Sequence, residues 1–202
     1  LSGANTYTGA TTINEGTVIA AHGSALGSTA GGTTVAAGAT LALQNNISIG
    51  AEALSLSGNL VNTAGANTYG GAISGTGSVT VTTGSLTLSG SGANTYTGAT
   101  AVQDGTLALA KTGGVTAIAG ALTVGDGSGA ASSAVVRLDG ANQIGDTVAV
   151  TLSSDGRLDL NSFSDTIGSL ASSSSAANVQ LGSGTLTTGA DNTSTAFAGT
   201  IA

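Results

Sequence analysis

"GANTYTGAT" occupies residues 3–11, the same nine letters return at 92–100, and a degenerate copy, "GANTYGGAI", stands at 65–73. All three tyrosines of the chain fall at one place in this phrase, as Tyr7, Tyr69 and Tyr96. Asn5, Asn67 and Asn94 stand two residues before them, and Gly9, Gly71 and Gly98 two residues after. Phe197, followed by Gly199, holds the same place in a looser relative that opens at Gly189. A side chain fixed at one point of a recurring phrase serves the packing of repeated units. Glycine there permits turns closed to other residues, and asparagine tolerates the left-handed region and can stack its amide on the next unit. These eleven residues are the expected structural corners of a repeat fold, with the aromatic closing one corner of a slender core.

Between the corners the sequence alternates apolar and polar residues, as in "TLALQ" (40–44), "SVTVTTGSLTLSG" (78–90), "TLALA" (106–110) and "TVAVTLSSDGRLDLN" (147–161). A period of two, broken by Gly and Asn, specifies short strands with one buried face. No stretch holds a helical period, and the serine run 172–175 reads as a loop. Short strands recurring at roughly 20 residues describe an all-β solenoid of roughly 8–10 coils, each rising ~4.8 Å. Leu86, Leu88, Leu107, Leu109, Leu158 and Leu160 are expected to face its interior. One coil buries too few aliphatic side chains to offset its ordering entropy, so the first partners of every coil are its neighbours in the same chain.

Composition narrows the function. The chain has 202 residues, 34 of them Gly, and is 6% charged and 40% hydrophobic, with a formal net charge of −7 and no Cys, Met, Trp or Pro. So apolar a chain is not of the disordered class. Only Lys111, Arg137 and Arg157 are basic, which leaves no footprint for nucleic acid. Without cysteine there is neither a disulfide framework nor a thiolate metal site. No apolar run reaches the ~18–20 residues that cross a bilayer, so no direct membrane insertion of this segment is expected.

"LSGANTYTGATTINEGTVIA" (1–20) and "LTLSGSGANTYTGATAVQDGTLALA" (86–110) resemble the passenger-associated transport repeat of bacterial autotransporters, the type V secreted proteins. "GSGTLTTGADNTSTAFAGTI" (182–201) is similar to the segment that commonly precedes such a repeat. The resemblance implies a right-handed parallel β-helix, exported through the outer membrane by a C-terminal β-barrel and displayed at the cell surface. It carries over no catalytic residue. The expected organisation is a single β-helix segment, 1–202, of a longer passenger domain. Its function is then that of a non-enzymatic stalk with adhesive capacity toward a host or cell-surface glycan or protein. The absence of disulfides fits passage through a narrow pore.

Few residues offer chemistry. His22, the sole histidine, lies in a Gly-Ser turn and lacks the setting of a catalytic base. Asp126, between two glycines, has no tandem copy of a calcium-binding nonapeptide around it. No cofactor or metal site is expected. "RLDG" (137–140) and "RLDL" (157–160) place Arg137 with Asp139, and Arg157 with Asp159, on one strand face each. If one coil separates them they form an exterior charge ladder. The alternative is a carbohydrate-active β-helix enzyme, a polysaccharide lyase or glycosidase, whose carboxylates would be these aspartates. Neither end of the sequence carries a capping segment, so end-to-end self-association of the segment is also expected.

Overall fold

The computed structural model describes residues 1–202, which wind into a parallel β-solenoid of about nine turns with no helix. Its walls are stacks of short strands, every pairing parallel and every partner one coil away. Sheet 1 has eight strands, from Thr17–Ala20 at one end to Ser169–Ala171 at the other. Sheet 2 also has eight, from Ser48–Ile49 to Thr200–Ile201. The third wall begins as sheet 3, with strands Thr11–Ile13, Thr33–Val35, Leu54–Leu56 and Ile73–Ser74. It ends as a two-stranded pair, Asp165–Ile167 with Leu186–Thr188, with the Ile118–Ile144 bridge between.

Alternation within each strand produces this section. In Ser85–Gly90, Leu86 and Leu88 point inward while Ser85 and Thr87 point out, and register places Leu86 on Leu107 and Leu88 on Leu109. The six leucines expected inside are each fully buried, within a single core of 40 residues running the length of the rod. Stacking like on like fills a narrow core with aliphatics alone, which is why so few aromatics suffice.

The corners need residues with special backbones. Gly84 and Gly105 stack at one corner with φ of 73° and 83°, and a Cβ on Gly105 would collide with the Gly84 carbonyl of the coil before. Asn45, Asn46, Asn142, Asn161 and Asn192 also adopt positive φ, the left-handed conformation that asparagine accepts most readily after glycine.

The repeat phrase does not keep to one wall. Thr11, its ninth residue in the first copy, pairs with Thr33 on sheet 3. Thr100, the same residue of the later copy, pairs with Val79 and Leu122 on sheet 1. Following the register from Thr11 through Thr33, Leu54 and Ile73 to Thr95 shows the two copies four coils and one further face apart. The phrase therefore encodes one corner with its following face, not one coil.

Candidate functional site: corners that stitch the coils

Asn94 is 1% exposed at the start of the third wall. Its Oδ1 accepts the Ile73 amide of the preceding coil at 2.9 Å, and its Nδ2 donates to the Ala117 carbonyl of the following coil at 2.9 Å. One side chain thus satisfies two buried backbone groups that no strand pairing reaches. Two residues on, Tyr96 is fully buried, and its hydroxyl shares a 2.6 Å hydrogen bond with Thr100 Oγ1. Burial pushes the Tyr96 phenol up to about 12 despite that bond.

The first copy repeats this geometry at the outermost coil. Asn5 Nδ2 donates to the Ala25 carbonyl at 2.7 Å, and the Tyr7 hydroxyl meets Thr11 Oγ1 at 2.6 Å. Tyr7 is nevertheless 41% exposed, its ring lying against Gly27.

The degenerate copy departs in an instructive way. Ala66–Tyr69 is a strand of sheet 2, with Tyr69 buried between Ile49 and Leu88. The ninth residue here is Ile73 in place of threonine, and the Tyr69 hydroxyl has no hydrogen-bond partner. Burial first, then the nearby Glu52 carboxylate, raise its pKa far above the ordinary phenol value. Asn67 still stitches: its Oδ1 accepts the Ile47 amide and its Nδ2 donates to Asn62 Oδ1 at 2.7 Å, while Asn62 Nδ2 donates to the Thr83 carbonyl. Phe197 is half-buried against the core, beside Gly199, at the Ser172–Phe197 bridge. Glycine is required after the aromatic because a Cβ on Gly71, Gly98 or Gly199 would collide with the carbonyl of Glu52, Gly77 or Ala177, and Gly31 lies against Gly9 in the same manner.

Several stitching residues carry no signature in the sequence. Gln143 exchanges two hydrogen bonds with the Lys111 backbone, at 2.8 and 3.0 Å, and Asp165 Oδ2 accepts the Gln143 and Ile144 amides. Burial raises the Asp165 pKa, opposed by those amides and that of Thr166. Asp155, 1% exposed, holds the turn amides of Asp126 and Gly127. Glu52 accepts a 2.8 Å hydrogen bond from Thr33 Oγ1 inside the core. The one available clue is at 140–144, where the Gly-Ala-Asn phrase is followed by Gln: Asn142 turns outward with φ 56° and Gln143 takes the inward role.

Lys111 is the only lysine, and it is 3% exposed. It stacks in register on Gly90, and its Nζ reaches back two coils to the Gly71 carbonyl at 2.8 Å. Burial lowers its pKa from 10.5 to about 8. Between those values the unfolded chain holds a proton that the folded chain has released, so stability rises with pH across that window. Tyr69 and Tyr96 act oppositely: unfolded, they ionise near their ordinary 10.0, whereas folded they stay protonated. Urea midpoints are therefore expected to climb from pH 8 to about 10 and fall beyond it, and Lys111→Met should abolish the climb alone. A profile flat from pH 8 to 10 in the native chain would contradict the burial of this ammonium.

The charged pairs sit on the outer face of sheet 2. Arg137 Nε and an Nη donate to both Asp139 oxygens at 2.9 Å, and Arg157 donates to Asp159 at 3.0 Å. The intervening coil is two residues longer than the displacement of the two Arg-Leu-Asp stretches. Register therefore sets Arg137 beside Asp159 and Arg157 beside Val135, so unlike charges are neighbours, rather than like over like. The Asp139 hydrogen bond raises the Arg137 pKa. The single groove of the molecule, about 310 Å³, lies on the third wall over Thr34, Ser55, Ser74 and Thr95, and no titratable side chain lines it. His22 accepts the Ser24 amide within its own turn, and no cluster of metal-ligating side chains occurs.

A parallel solenoid whose corners are stitched by repeated Asn and Tyr side chains defines a repeat-built rod. Residues 1–20 and 83–109 match the family model of the passenger-associated transport repeat, a match consistent with an autotransporter passenger domain. No curated protein and no solved structure matches the chain significantly.

Proposed function

We propose that residues 1–202 are one β-helix segment of a longer, exported autotransporter passenger, displayed at the cell surface as a rigid, non-enzymatic stalk with adhesive capacity. The observation that carries this reading is the transport repeat embedded in one unbroken core. At ~4.8 Å per coil, the coils build a rod of roughly 40–45 Å that holds whatever flanks it at a fixed distance. All strands pair with an adjacent coil, so the rod can grow as the chain emerges from a pore, each coil templating the next.

A sugar-cleaving site remains the competing reading, favoured by Asp139 and Asp159 beside arginines. Against it, the groove and these carboxylates lie on different walls, whereas glycoside cleavage needs paired carboxylates flanking a bound sugar. Incubation with acidic and neutral glycans is expected to give retention without turnover. Asp159→Ala should destabilise the fold by about 1–3 kcal/mol, because it removes the partner of the Arg157 guanidinium and the acceptor of the Asn161 amide from a side chain that is only 15% exposed. Turnover that disappears in Asp159→Ala would establish the enzyme instead.

A further inference from the structure

The groove on the third wall has a regular floor. Register sets Thr34, Ser55 and Ser74 in one column, and the Thr95 amide, donating to the Ile73 carbonyl at 2.8 Å, continues it for a fourth coil. All four side chains are exposed, and only Ser74 bonds within the chain, to the Leu54 carbonyl at a long 3.4 Å. The wall therefore offers a straight row of hydroxyls, one per coil at ~4.8 Å intervals, each able to donate and accept. Two residues earlier in every coil, on the same outward face, stand Gly32, Ala53, Ala72 and Ala93. Their small size leaves the space of about 310 Å³, at the lower end of small-ligand sites.

The lining selects its occupant. The backbone of this wall is paired from coil to coil, so no strand can be added there. Leu54 and Ile73 point inward and are at most 1% exposed, which leaves no large apolar surface for the anchor of a hydrophobic peptide. No titratable side chain lines the groove, Arg137 and Arg157 are paired with aspartates on sheet 2, Lys111 is buried, and the net charge is −7, so an anionic ligand meets repulsion without a counter-charge. A matching ligand is uncharged, rich in hydroxyls, and has C–H faces to set on alanine methyls, which is the chemistry of a neutral sugar. The straight column adds a shape. An extended β-1,4-linked glycan advances by about one coil rise, ~4.8 Å, per sugar, whereas a coiled α-linked chain leaves a straight floor within a few units. We propose that the third-wall groove binds an extended, neutral β-linked glycan along the rod axis, with its hydroxyls on Thr34, Ser55, Ser74 and Thr95. This inference rests on the reading of the rod as an adhesive segment and gives that reading a site. With no aromatic platform in the groove, a short glycan is expected to bind with a Kd of about 1 mM, and many displayed rods would raise the avidity.

The test is an NMR titration of the chain with the β-1,4-linked tetramers of glucose and of N-acetylglucosamine, with tetragalacturonate as the acidic comparison. At least one neutral tetramer should give saturable shifts of the Thr34, Ser55, Ser74 and Thr95 amides, and tetragalacturonate should bind there at least about tenfold more weakly. Replacing two hydroxyls, Ser55→Ala with Ser74→Ala, should weaken binding at least about fivefold. Ala53→Leu, which fills the groove from an exposed position, should abolish it, and unchanged urea midpoints would show that both variants keep the fold. Absence of saturable shifts at these amides with either neutral tetramer up to about 20 mM, or binding indifferent to both variants, would overturn the proposal. Shifts confined to sheet 1 or sheet 2 would overturn the groove and leave the adhesive reading standing. Cleavage of a tetramer that also shifts the groove amides would support the groove and sink the non-enzymatic reading.

Discussion

Asn94→Ala is expected to destabilise the fold by about 2–5 kcal/mol, although it removes a side chain of modest size. The substitution strands the Ile73 amide and the Ala117 carbonyl, both held by the lost carboxamide in a setting where Asn94 itself is 1% exposed. Each buried backbone group left without a partner costs about 1–3 kcal/mol. Asn94→Asp should be no better, since it keeps the acceptor for Ile73 but sets a carboxylate against the Ala117 carbonyl. Asn5→Ala, which frees only the Ala25 carbonyl at a half-buried position, is expected to cost less than about 1.5 kcal/mol. Urea titration of the three variants checks the order. Equal losses at Asn5 and Asn94 would mean that bridging to a preceding coil contributes nothing.

The tyrosines divide in the same way. Tyr96→Ala should cost about 3–5 kcal/mol by emptying a fully enclosed ring site between coils. More telling are the phenylalanine replacements, which keep the ring and remove one oxygen. At position 96 the change orphans the buried Thr100 hydroxyl and is expected to cost about 1–2 kcal/mol. At position 69 the hydroxyl has no partner to lose, so Tyr69→Phe should be neutral or stabilising by up to about 1 kcal/mol. Thermal unfolding of the two single variants decides it. A destabilising Tyr69→Phe would mean that its hydroxyl is satisfied in solution by some group beyond the protein's own atoms.

What could be read from the sequence and what could not follow from the range of the forces involved. The strand faces were legible because Leu86, Leu88, Leu107 and Leu109 alternate with polar neighbours, and period two leaves one way to bury them. The corners could be suspected because Asn, Tyr and Gly recur together. Their placement on different walls could not, since it depends on the length of every intervening loop, which no local pattern records. For the same reason the neighbour of Arg137 is Asp159 and not Arg157. Glu52, Lys111, Asp155 and Asp165 were invisible because each is a single polar residue whose burial is decided by neighbouring coils 19 to 40 residues away. Lys111 illustrates it best: its room comes from Gly90 on the next coil, and its acceptor from Gly71 on the one beyond.

The uniformly parallel ladder also determines how such a rod behaves under load. Its hydrogen bonds run along the long axis while its strands lie across it, so a pull on the two ends opens one rung at a time instead of shearing many together. Each coil that peels away releases about 20 residues of slack, roughly 65–70 Å of contour at ~3.4 Å per residue. Resistance to traction therefore does not accumulate with length: a longer rod yields at much the same force, but goes on yielding for longer, and dissipates work in even steps. Where a side chain reaches past its nearest neighbour, as Lys111 does across Gly90 to Gly71, two steps are tied into one, and the rod acquires a local point of toughness.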